Sequence, residues 1–258
     1  MQLLAIDQGN SRTKFGVFAD GELRHTWAIP TDKSATSAAL HTAITTHGDV
    51  HHDTIIAVSS VVSELRTEWE GMAAAAGWPF FMITGTFVTP LINAYHTPET
   101  LGPDRLMAAV AAFHRARGPV MPVLLGTATV VDAVTGDGEY LGGLIAPGIG
   151  VSVDLLSKNA SALDSVTWRP PANAIGRSTR EALHNGLFFA SIGGLRHMIA
   201  AIRHELHLSA PLALSGGWAV DVQSHLDGVA FLDPHLVLHG IAISISHFLS
   251  SPIRIANR

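Results

Sequence analysis

Short apolar runs alternate with polar positions at the start of the chain, in the period of two that is typical of half-buried strands. Strands are predicted at residues 3–6, 13–18 and 23–29. Asp20 and Gly21 separate the second and third runs, and an Asp-Gly pair between two such runs indicates a tight hairpin turn. The chain is therefore expected to open with an antiparallel meander of three strands.

Farther along, the spacing of apolar positions alternates between that of a helix and that of a strand. Helices are predicted at 34–46, 63–76 and 102–115, and buried strands at 54–58 and 80–83, with a proline-containing loop at 88–100. The third of these helices carries Leu106, Val110 and Phe113 on one face. The order of elements before the loop is βββαβαβ, which indicates an α/β fold.

The second half of the chain begins again with strands. Strands are predicted at 123–125, 129–134, 140–145 and 212–214, and helices at 151–158, 178–205 and 236–249. Both halves open with a meander whose first hairpin contains glycine and hydroxyl or amide side chains. The two halves therefore repeat the same structure, although their sequences are not repeated. We expect two α/β domains, 1–117 and 118–258, with a ligand cleft between them, because ligand sites are common at such boundaries.

Composition and charge exclude several classes of protein. The chain has 258 residues, 47% of them hydrophobic, and a net charge of −5 with scattered basic residues. It lacks the basic stripe that nucleic acid or an anionic membrane surface requires, and its apolar runs are shorter than the ~20 residues that span a bilayer. The absence of cysteine excludes disulfides and thiolate chemistry. We expect a cytoplasmic protein that binds neither nucleic acid nor membranes.

Fifteen histidines raise the question of a metal site. His204 and His207 do not have the spacing of the helical zinc-protease motif, in which a glutamate lies between histidines one turn apart. His51 and His52 fall in a polar turn. We therefore expect these histidines to be surface and loop residues and not metal ligands.

The first candidate for phosphate chemistry is the segment D-Q-G-N-S-R-T-K, directly after the first predicted strand. It comprises Asp7, Gln8, Gly9, Asn10, Ser11, Arg12, Thr13 and Lys14. Glycine lets a backbone approach a phosphate, successive N–H groups can form an anion nest, and Asp7 can bind magnesium directly or through water. An ordinary Gly-Asn hairpin turn with a solvated aspartate is the alternative interpretation.

A second candidate, G-T-A-T at residues 126–129, occupies the equivalent hairpin of the second half. Two such loops facing one cleft would hold a polyphosphate chain from both sides, which makes a nucleotide the natural ligand. Gly216 and Gly217 follow a late strand, where a backbone could approach an adenosine. A tight strand-to-helix turn explains these two glycines equally well.

The third candidate stands at the start of the helix predicted at 102–115 and reads Gly102, Pro103, Asp104, Arg105. A carboxylate beside an arginine can simply complement the first turn of a helix. The same pair can also supply a base for a hydroxyl proton and a planar fork for a substrate carboxylate. Tyr95 precedes the pair in the proline-containing loop and could hydrogen-bond the same substrate.

The candidate motifs resemble those of type III pantothenate kinases, and along the chain they occur in the same order as in that family. The resemblance also covers S-S-V-V-S at 59–63, G-G-L-I-A-P-G at 142–148, S-T-R-E-A-L-H-N-G at 178–186, L-S-G-G-W at 214–218 and a late L-H-G. It implies two ribonuclease-H-like domains of the actin-like ATPase superfamily, a homodimer, and phosphorylation of pantothenate by ATP with Mg²⁺ and a monovalent cation, K⁺ or NH₄⁺. That reaction is the first step of coenzyme A biosynthesis.

Position by position, the resemblance assigns roles to individual residues. It implies ATP contacts for residues 7–14 and Thr127, and pantothenate contacts for Tyr95, Gly102, Pro103, Asp104, Arg105 and Thr179. It makes Asp104 the catalytic base. The helix predicted at 178–205 has more apolar positions than one buried face needs, which fits the implied homodimer; they are Leu187, Phe188, Phe189, Ile192, Leu195 and Ile199.

One position departs from the family pattern. Family members usually carry an aspartate of the monovalent-cation site two residues before the G-T-A-T loop, and this chain has Leu124 there. We therefore expect a weak response to potassium, or none. A non-catalytic binding or regulatory relative, and a kinase for another small hydroxylated substrate, are the alternative functions, because a fold does not fix a substrate.

Overall fold

The computed structural model describes residues 2–159, 168–207 and 209–251. These residues form two compact units. The first contains residues 2–117, 137–140 and 235–251, and the second contains the described residues of 118–136 and 141–234. The domains predicted from the sequence, 1–117 and 118–258, share the boundary at 117 but differ from the units in the last helix and in 137–140, which group with the first unit.

The elements predicted from the apolar pattern are present within a few residues of their expected bounds. The strands are β1 (Gln2–Gln8), β2 (Arg12–Ala19), β3 (Glu22–Pro30), β4 (Ile55–Ser60), β5 (Phe80–Ile83), β6 (Ile92–Asn93), β7 (Met121–Leu125), β8 (Ala128–Val134), β9 (Glu139–Pro147), β10 (Leu212–Ser215) and β11 (Val229–Leu232). The helices are α1 (Ser37–Thr45), α2 (Arg66–Ala76), α3 (Pro103–Ala116), α4 (Ile149–Asn159), α5 (Thr179–Glu205), α6 (Ala219–Gln223) and α7 (Leu236–Ser250). The pattern did not predict β6, α6 and β11.

The first unit is built on a mixed five-stranded sheet in the order β3-β2-β1-β4-β5. Strands β1, β2 and β3 are antiparallel, as the predicted meander requires, whereas β4 and β5 run parallel to β1. Side chains of a strand point alternately to the two faces of the sheet. Leu4 and Ile6 therefore share one face, where they pack with Ile44 of α1 and Trp69 of α2 in a buried core.

The C-terminal helix α7 packs on α3 and on strands of the first sheet. Its contact with α3 is close at Gly240, where an added Cβ atom would overlap the carbonyl group of Met107. The apolar residues Leu238 and Ile241 on α7 are fully buried. This packing is the reason that the last helix belongs to the first unit.

The second sheet has the order β11-β10-β7-β8-β9-β6. Strands β7 and β8 are antiparallel, and β10 is parallel to both β7 and β11. Strand β6 pairs with Glu139 and Tyr140, the residues of β9 that group with the first unit. Long helix α5 covers one face of this sheet, and its side chains pack with those of β7 and β8; the core includes Val123, Leu125, Val131, Phe188, Ile192, Leu195 and Ile199.

The helices were also compared with the requirements of a membrane span. Within the three described ranges, none of them is both long enough and apolar enough to cross a bilayer.

Candidate active site

Asp7 lies near the carboxyl end of β1, on the sheet face opposite to Ile6 and Gln8. Its register partners are Lys14 on β2 and Ser59 on β4, so these three side chains form a row across the sheet. The Lys14 Nζ atom is 3.8 Å from the Asp7 Oδ2 atom. Asp7 is only 8% exposed. The strand alternation therefore places a buried carboxylate beside a lysine at one end of the sheet.

Two carboxyl groups interact at this position. Burial raises the pKa of Asp7 to about 6, the positive charge of Lys14 opposes that rise, and the negative charge of Asp104 adds to it. Like charges raise a carboxyl pKa when they are close enough to interact through the protein. Asp7 and Asp104, which are far apart in the sequence, are therefore part of one charged cluster in the first unit.

The hairpin between β1 and β2 is fixed by hydrogen bonds at its base. The Gly9 N–H donates to the Arg12 carbonyl at 3.0 Å. The Thr31 hydroxyl donates to the Gly9 carbonyl at 2.8 Å and lies 3.0 Å from the Thr13 hydroxyl. The Thr31 N–H donates to the Ser11 carbonyl at 3.1 Å. Thr31, which the sequence did not single out, thus holds the predicted phosphate loop from the end of β3.

The predicted ATP residues differ in what their side chains can offer a ligand. Asn10, Ser11 and Arg12 are exposed at the hairpin tip, where Lys33 donates to Asn10 at 2.9 Å. Thr13 is buried, with its hydroxyl close to that of Thr31 as described above.

Gln8 is buried as well, and its side chain lies on the core face of the sheet. Its amide oxygen accepts hydrogen bonds from the Ser60 hydroxyl at 2.7 Å and from the Trp69 indole at 2.9 Å. Both bonds point away from the face that carries Asp7. The predicted ATP contacts of Gln8 and Thr13 therefore depend on their backbone groups.

The segment G-P-D-R begins helix α3, as predicted. Gly102 is the N-cap residue and Pro103 the first helical residue. Asp104 Oδ1 accepts a hydrogen bond from the Arg105 N–H at 2.9 Å. A Cβ atom on Gly102 would lie 2.6 Å from Asp104 Oδ1, which is too close, so glycine leaves room for this carboxylate orientation. The first turn of α3 therefore fixes one oxygen of Asp104.

Arg105 and Tyr95 are in contact. The Arg105 guanidinium carbon lies 5.5 Å from the centre of the Tyr95 ring, within the range of a cation–π interaction. Arg105 is buried, which restrains its planar fork. The Tyr95 N–H donates to Asn93 Oδ1 at 3.1 Å, and Asn93 donates to the Gly85 carbonyl at 2.8 Å. Asn93 thus orients the loop that carries Tyr95.

Of the residues that the resemblance assigns to ATP or pantothenate, Thr127 and Thr179 belong to the second unit and the others belong to the first. Thr127 is exposed, and its carbonyl accepts a hydrogen bond from the Gly148 N–H at 3.0 Å, just before α4. Thr179 is the exposed first residue of α5, which Ser178 caps through the Glu181 N–H. Their contacts with ATP and pantothenate stay predictions.

Gly216 has a positive φ of 104°, and an added Cβ atom would overlap the backbone of Leu125. A side chain at this position would meet both a strained backbone and a neighbouring strand. The tight turn therefore requires glycine at position 216, and a backbone contact with adenosine stays a prediction.

Leu124 pairs with Val130, so the face that carries Leu124 also carries Asp132, two residues along β8. Asp132 is buried. This chain therefore has an apolar side chain at position 124, where the family pattern places a carboxylate. Asp132 is an aspartate on the same face of the sheet.

The carboxylates of the first unit suit a magnesium ion that binds together with a nucleotide. Magnesium is usually held by one or two carboxylates, with water and substrate phosphates completing its shell. Asp7 supplies one such carboxylate, and the negative charge of Asp104 acts on it. Among the described residues, no group of three or more histidine, aspartate or glutamate side chains forms a cage of protein ligands. The arrangement suits a metal that arrives with its phosphates.

Comparison with solved structures identifies the fold. The chain superimposes with a TM-score of 0.53 on the inorganic polyphosphate/ATP-glucomannokinase from Arthrobacter sp. strain KM, at 15% identity, covering 96% of this chain and 99% of that one. The activator of the 2-hydroxyisocaproyl-CoA dehydratase from Clostridium difficile, with bound ADPNP, gives a TM-score of 0.55 at 10% identity, covering 98% and 99%. The fold is that of actin-like ATPases and sugar kinases.

Sequence comparison narrows the class to one family. Residues 3–201 match the family model of type III pantothenate kinase. The type III pantothenate kinase of Myxococcus xanthus (strain DK1622) is 35% identical over 251 residues, which cover 93% of this chain and 96% of that protein. The chain belongs to the type III pantothenate kinase family.

Proposed function

We propose that this chain transfers the γ-phosphate of ATP to the primary hydroxyl of pantothenate, giving 4'-phosphopantothenate in the first step of coenzyme A biosynthesis. Family membership supports the reaction. The observation that carries it is the cluster in the first unit, where Asp104 interacts electrostatically with Asp7 and is followed by a buried Arg105 stacked on Tyr95. These groups provide a base, a metal carboxylate and a fork for the carboxylate of pantothenate.

In the proposed reaction, the hydroxyl oxygen of pantothenate attacks the γ-phosphorus, and the bond from that phosphorus to ADP breaks. Asp104 receives the hydroxyl proton. Its Oδ1 atom accepts a hydrogen bond from the Arg105 N–H, which orients the carboxylate at the start of α3. Arg105 binds the substrate carboxylate, because a guanidinium matches a carboxylate with two parallel hydrogen bonds.

The phosphates are held by the hairpin and by charge. The Thr31 hydroxyl donates to the Gly9 carbonyl and so restrains the loop between β1 and β2. We propose that loop N–H groups, the exposed Arg12 and the half-buried Lys14 contact the phosphates, while Asp7 binds magnesium. Magnesium when bound supplies positive charge at the phosphate oxygens.

A coupled assay of ADP formation tests the function. We expect ADP to appear with ATP, magnesium and pantothenate together, and not when pantothenate is omitted. ADP formation with a sugar or another small alcohol, but not with pantothenate, would identify a kinase of different specificity. Binding of ATP without phosphoryl transfer to any acceptor would identify a non-catalytic relative.

We propose that potassium stimulates this enzyme weakly or not at all. Leu124 offers no oxygen ligand and no negative charge where the family pattern has a carboxylate, so a cation there loses much of its electrostatic attraction. Asp132, on the same sheet face, is the residue that could replace it. Initial rates at saturating substrates should be nearly equal in potassium, ammonium and a bulky organic cation at one ionic strength.

Two substitutions sharpen the potassium test. Leu124→Asp should introduce stimulation by potassium, whereas Leu144→Asp, which adds the same charge at an exposed site on β9, should not. Strong stimulation of the natural sequence would contradict the prediction and would indicate that Asp132 or backbone carbonyls form the cation site.

We also propose that the chain acts as a homodimer through the second unit, with Thr179 completing the pantothenate site of the other subunit. Four of the six apolar residues noted on α5 pack into the core of the second unit, which accounts for much of that helix. Phe189 nevertheless remains 49% exposed and Leu155 on α4 60% exposed. A groove of about 330 Å³ lined by residues of α4 and α5, including Leu156 and Met198, adds to this apolar surface.

Sedimentation tests the homodimer. Phe189→Asp should yield a monomer with reduced pantothenate-dependent activity, because a charge at the interface opposes association. Val88→Asp is the matched control, since Val88 is also 49% exposed but lies in the first unit. A natural chain that sediments as a fully active monomer at micromolar concentration would rule out the proposed assembly.

A further inference from the structure

Ser59 carries a buried hydroxyl group that the structure leaves without a hydrogen-bond partner. The residue is 1% exposed, and its Oγ atom has no hydrogen-bond partner within the described ranges. Leaving a buried donor unsatisfied costs roughly 1–3 kcal/mol, and most such groups in folded proteins are satisfied by protein or water. An unsatisfied hydroxyl is therefore a candidate for bonding a water molecule or a ligand atom, and its surroundings decide between the two.

The position of this hydroxyl relates it to Asp7. Ser59 is the register partner of Asp7 in the parallel pair of β1 and β4, so both side chains lie on one face of the sheet. Neighbouring strands are about 4.8 Å apart, which brings the two groups within reach of one shared water or ion.

Ser60, the next residue, points to the opposite face and is fully engaged. Its hydroxyl donates to Gln8 and also accepts from the Val62 N–H at 3.0 Å. The two adjacent serines therefore differ in the hydrogen bonding of their hydroxyl groups. Ser60 is part of the core, and Ser59 belongs to the face that carries Asp7 and Lys14.

Of the two groups, only Ser59 lacks a partner. Asp7 is a buried acceptor with the Lys14 Nζ atom 3.8 Å from its Oδ2 atom. Ser59 is a buried donor and acceptor with nothing to bond. A water molecule in the shell of a cation bound at Asp7 would donate to the serine oxygen, and the serine O–H could donate to the carboxylate.

We propose that Ser59 is a positioning residue for magnesium: its hydroxyl orients the Asp7 carboxylate and accepts a hydrogen bond from a metal-bound water. This inference rests on the proposed function, because it requires the nucleotide and its metal at Asp7. It assigns a role to a residue that lies outside the hairpin and outside the first turn of α3.

Ser244 provides a matched control. This residue on α7 is also fully buried, its Oγ atom also has no hydrogen-bond partner among the described residues, and α7 carries none of the predicted site residues. If both hydroxyls are merely unsatisfied groups of the core, Ser59→Ala and Ser244→Ala should behave alike. Each should leave the melting temperature unchanged or slightly raised, with no effect on metal binding.

The decisive measurement is a magnesium titration at saturating ADP, without pantothenate, followed by calorimetry and by thermal shift. Ser59→Ala should raise the magnesium concentration at the midpoint by about tenfold, the size expected for one hydrogen bond to a charged group. Ser244→Ala should match the natural chain. Ser59→Cys, which keeps the volume but donates weakly, should resemble Ser59→Ala and so separate the lost hydroxyl from lost packing.

The outcomes separate this inference from the proposed function. A midpoint in Ser59→Ala equal to that of the natural chain, with pantothenate still phosphorylated, would overturn the role of Ser59 and leave the function intact. An equal rise in Ser244→Ala would also overturn it, because the effect would then be structural. A natural chain that binds ADP without any dependence on magnesium would overturn the role of Ser59, and the assay of pantothenate-dependent ADP formation would then decide the proposed function separately.

Discussion

Asp104→Asn should lower turnover by about 10²–10⁴-fold, the loss typical of removing a general base. Asparagine keeps the size of the side chain and an oxygen that can accept from the Arg105 N–H, so the first turn of α3 should stay intact. It cannot take the proton of the pantothenate hydroxyl. ATP affinity, measured by calorimetry, should change little, because the substitution alters the chemical step and not the hairpin.

Asp221→Asn is the control for Asp104→Asn. Asp221 also stands in the first turn of a helix, α6, and is exposed in the second unit. Its substitution removes the same charge from the same kind of helix position, and turnover should remain normal. Near-normal turnover of Asp104→Asn would assign the proton to another acceptor and would make this aspartate a helix-terminal residue only.

Asp7→Asn should abolish most catalysis and yet stabilise the free protein at neutral pH. Burial raises the pKa of Asp7 from 3.8 to about 6 in the folded chain. A carboxyl whose folded pKa lies above its unfolded pKa favours folding fully below the unfolded value, and this contribution is lost as pH rises through the folded value. Above about pH 6, ionised Asp7 thus costs up to about 3 kcal/mol, a cost that asparagine removes.

Thermal unfolding at pH 4, 6 and 8 measures this effect. The melting temperature of Asp7→Asn should exceed that of the natural chain at pH 8 and approach it at pH 4. Turnover should fall by at least about 10²-fold, because the metal loses a carboxylate beside the phosphates. In the natural enzyme, protonation of Asp7 competes with magnesium as pH falls through about 6, so the magnesium concentration needed for half-maximal activity should rise there.

Asp32 supplies the control for the pH experiment. Hydrogen bonds from the Ser34 hydroxyl and N–H lower the pKa of this exposed carboxyl, the opposite of the shift at Asp7. Asp32→Asn should therefore give no stabilisation at pH 8. A lower melting temperature of Asp7→Asn at pH 8 would show that the ion pair with Lys14 outweighs the cost of burial.

The sequence was sufficient to predict the strands and helices whose apolar pattern is long. The meander of β1, β2 and β3 and the helix that starts at G-P-D-R are examples, because alternation and helical spacing are local properties. β6 was missed because it has only two residues inside a proline-containing loop, and the brief α6 and β11 have too few residues to show a period.

The candidate site shows the same limit. Residues adjacent in the chain, such as those of the hairpin or of Gly102 to Arg105, could be grouped from the sequence. The coupling of Asp7 to Asp104, the bond from Thr31 to Gly9 and the row of Lys14, Asp7 and Ser59 depend on strand register and helix packing. Ser59 appeared in the sequence only as part of the S-S-V-V-S motif, with no sign that its hydroxyl would lack a partner.

The return of α7 to the first unit bears on how the chain is made. Helix α7, which packs on α3 and on the first sheet, is the last described helix to leave the ribosome. At a synthesis rate of about 5–20 residues per second, several seconds pass between synthesis of the first sheet and synthesis of α7. During that time the surface that α7 covers is exposed. A nascent chain that ends before Leu236 lacks the helix that packs against Met107, and it cannot complete the unit that contains Asp7 and Asp104. The first unit can therefore be completed only after α7 has been synthesised, and a chain that stops before α7 leaves an apolar surface exposed to aggregation.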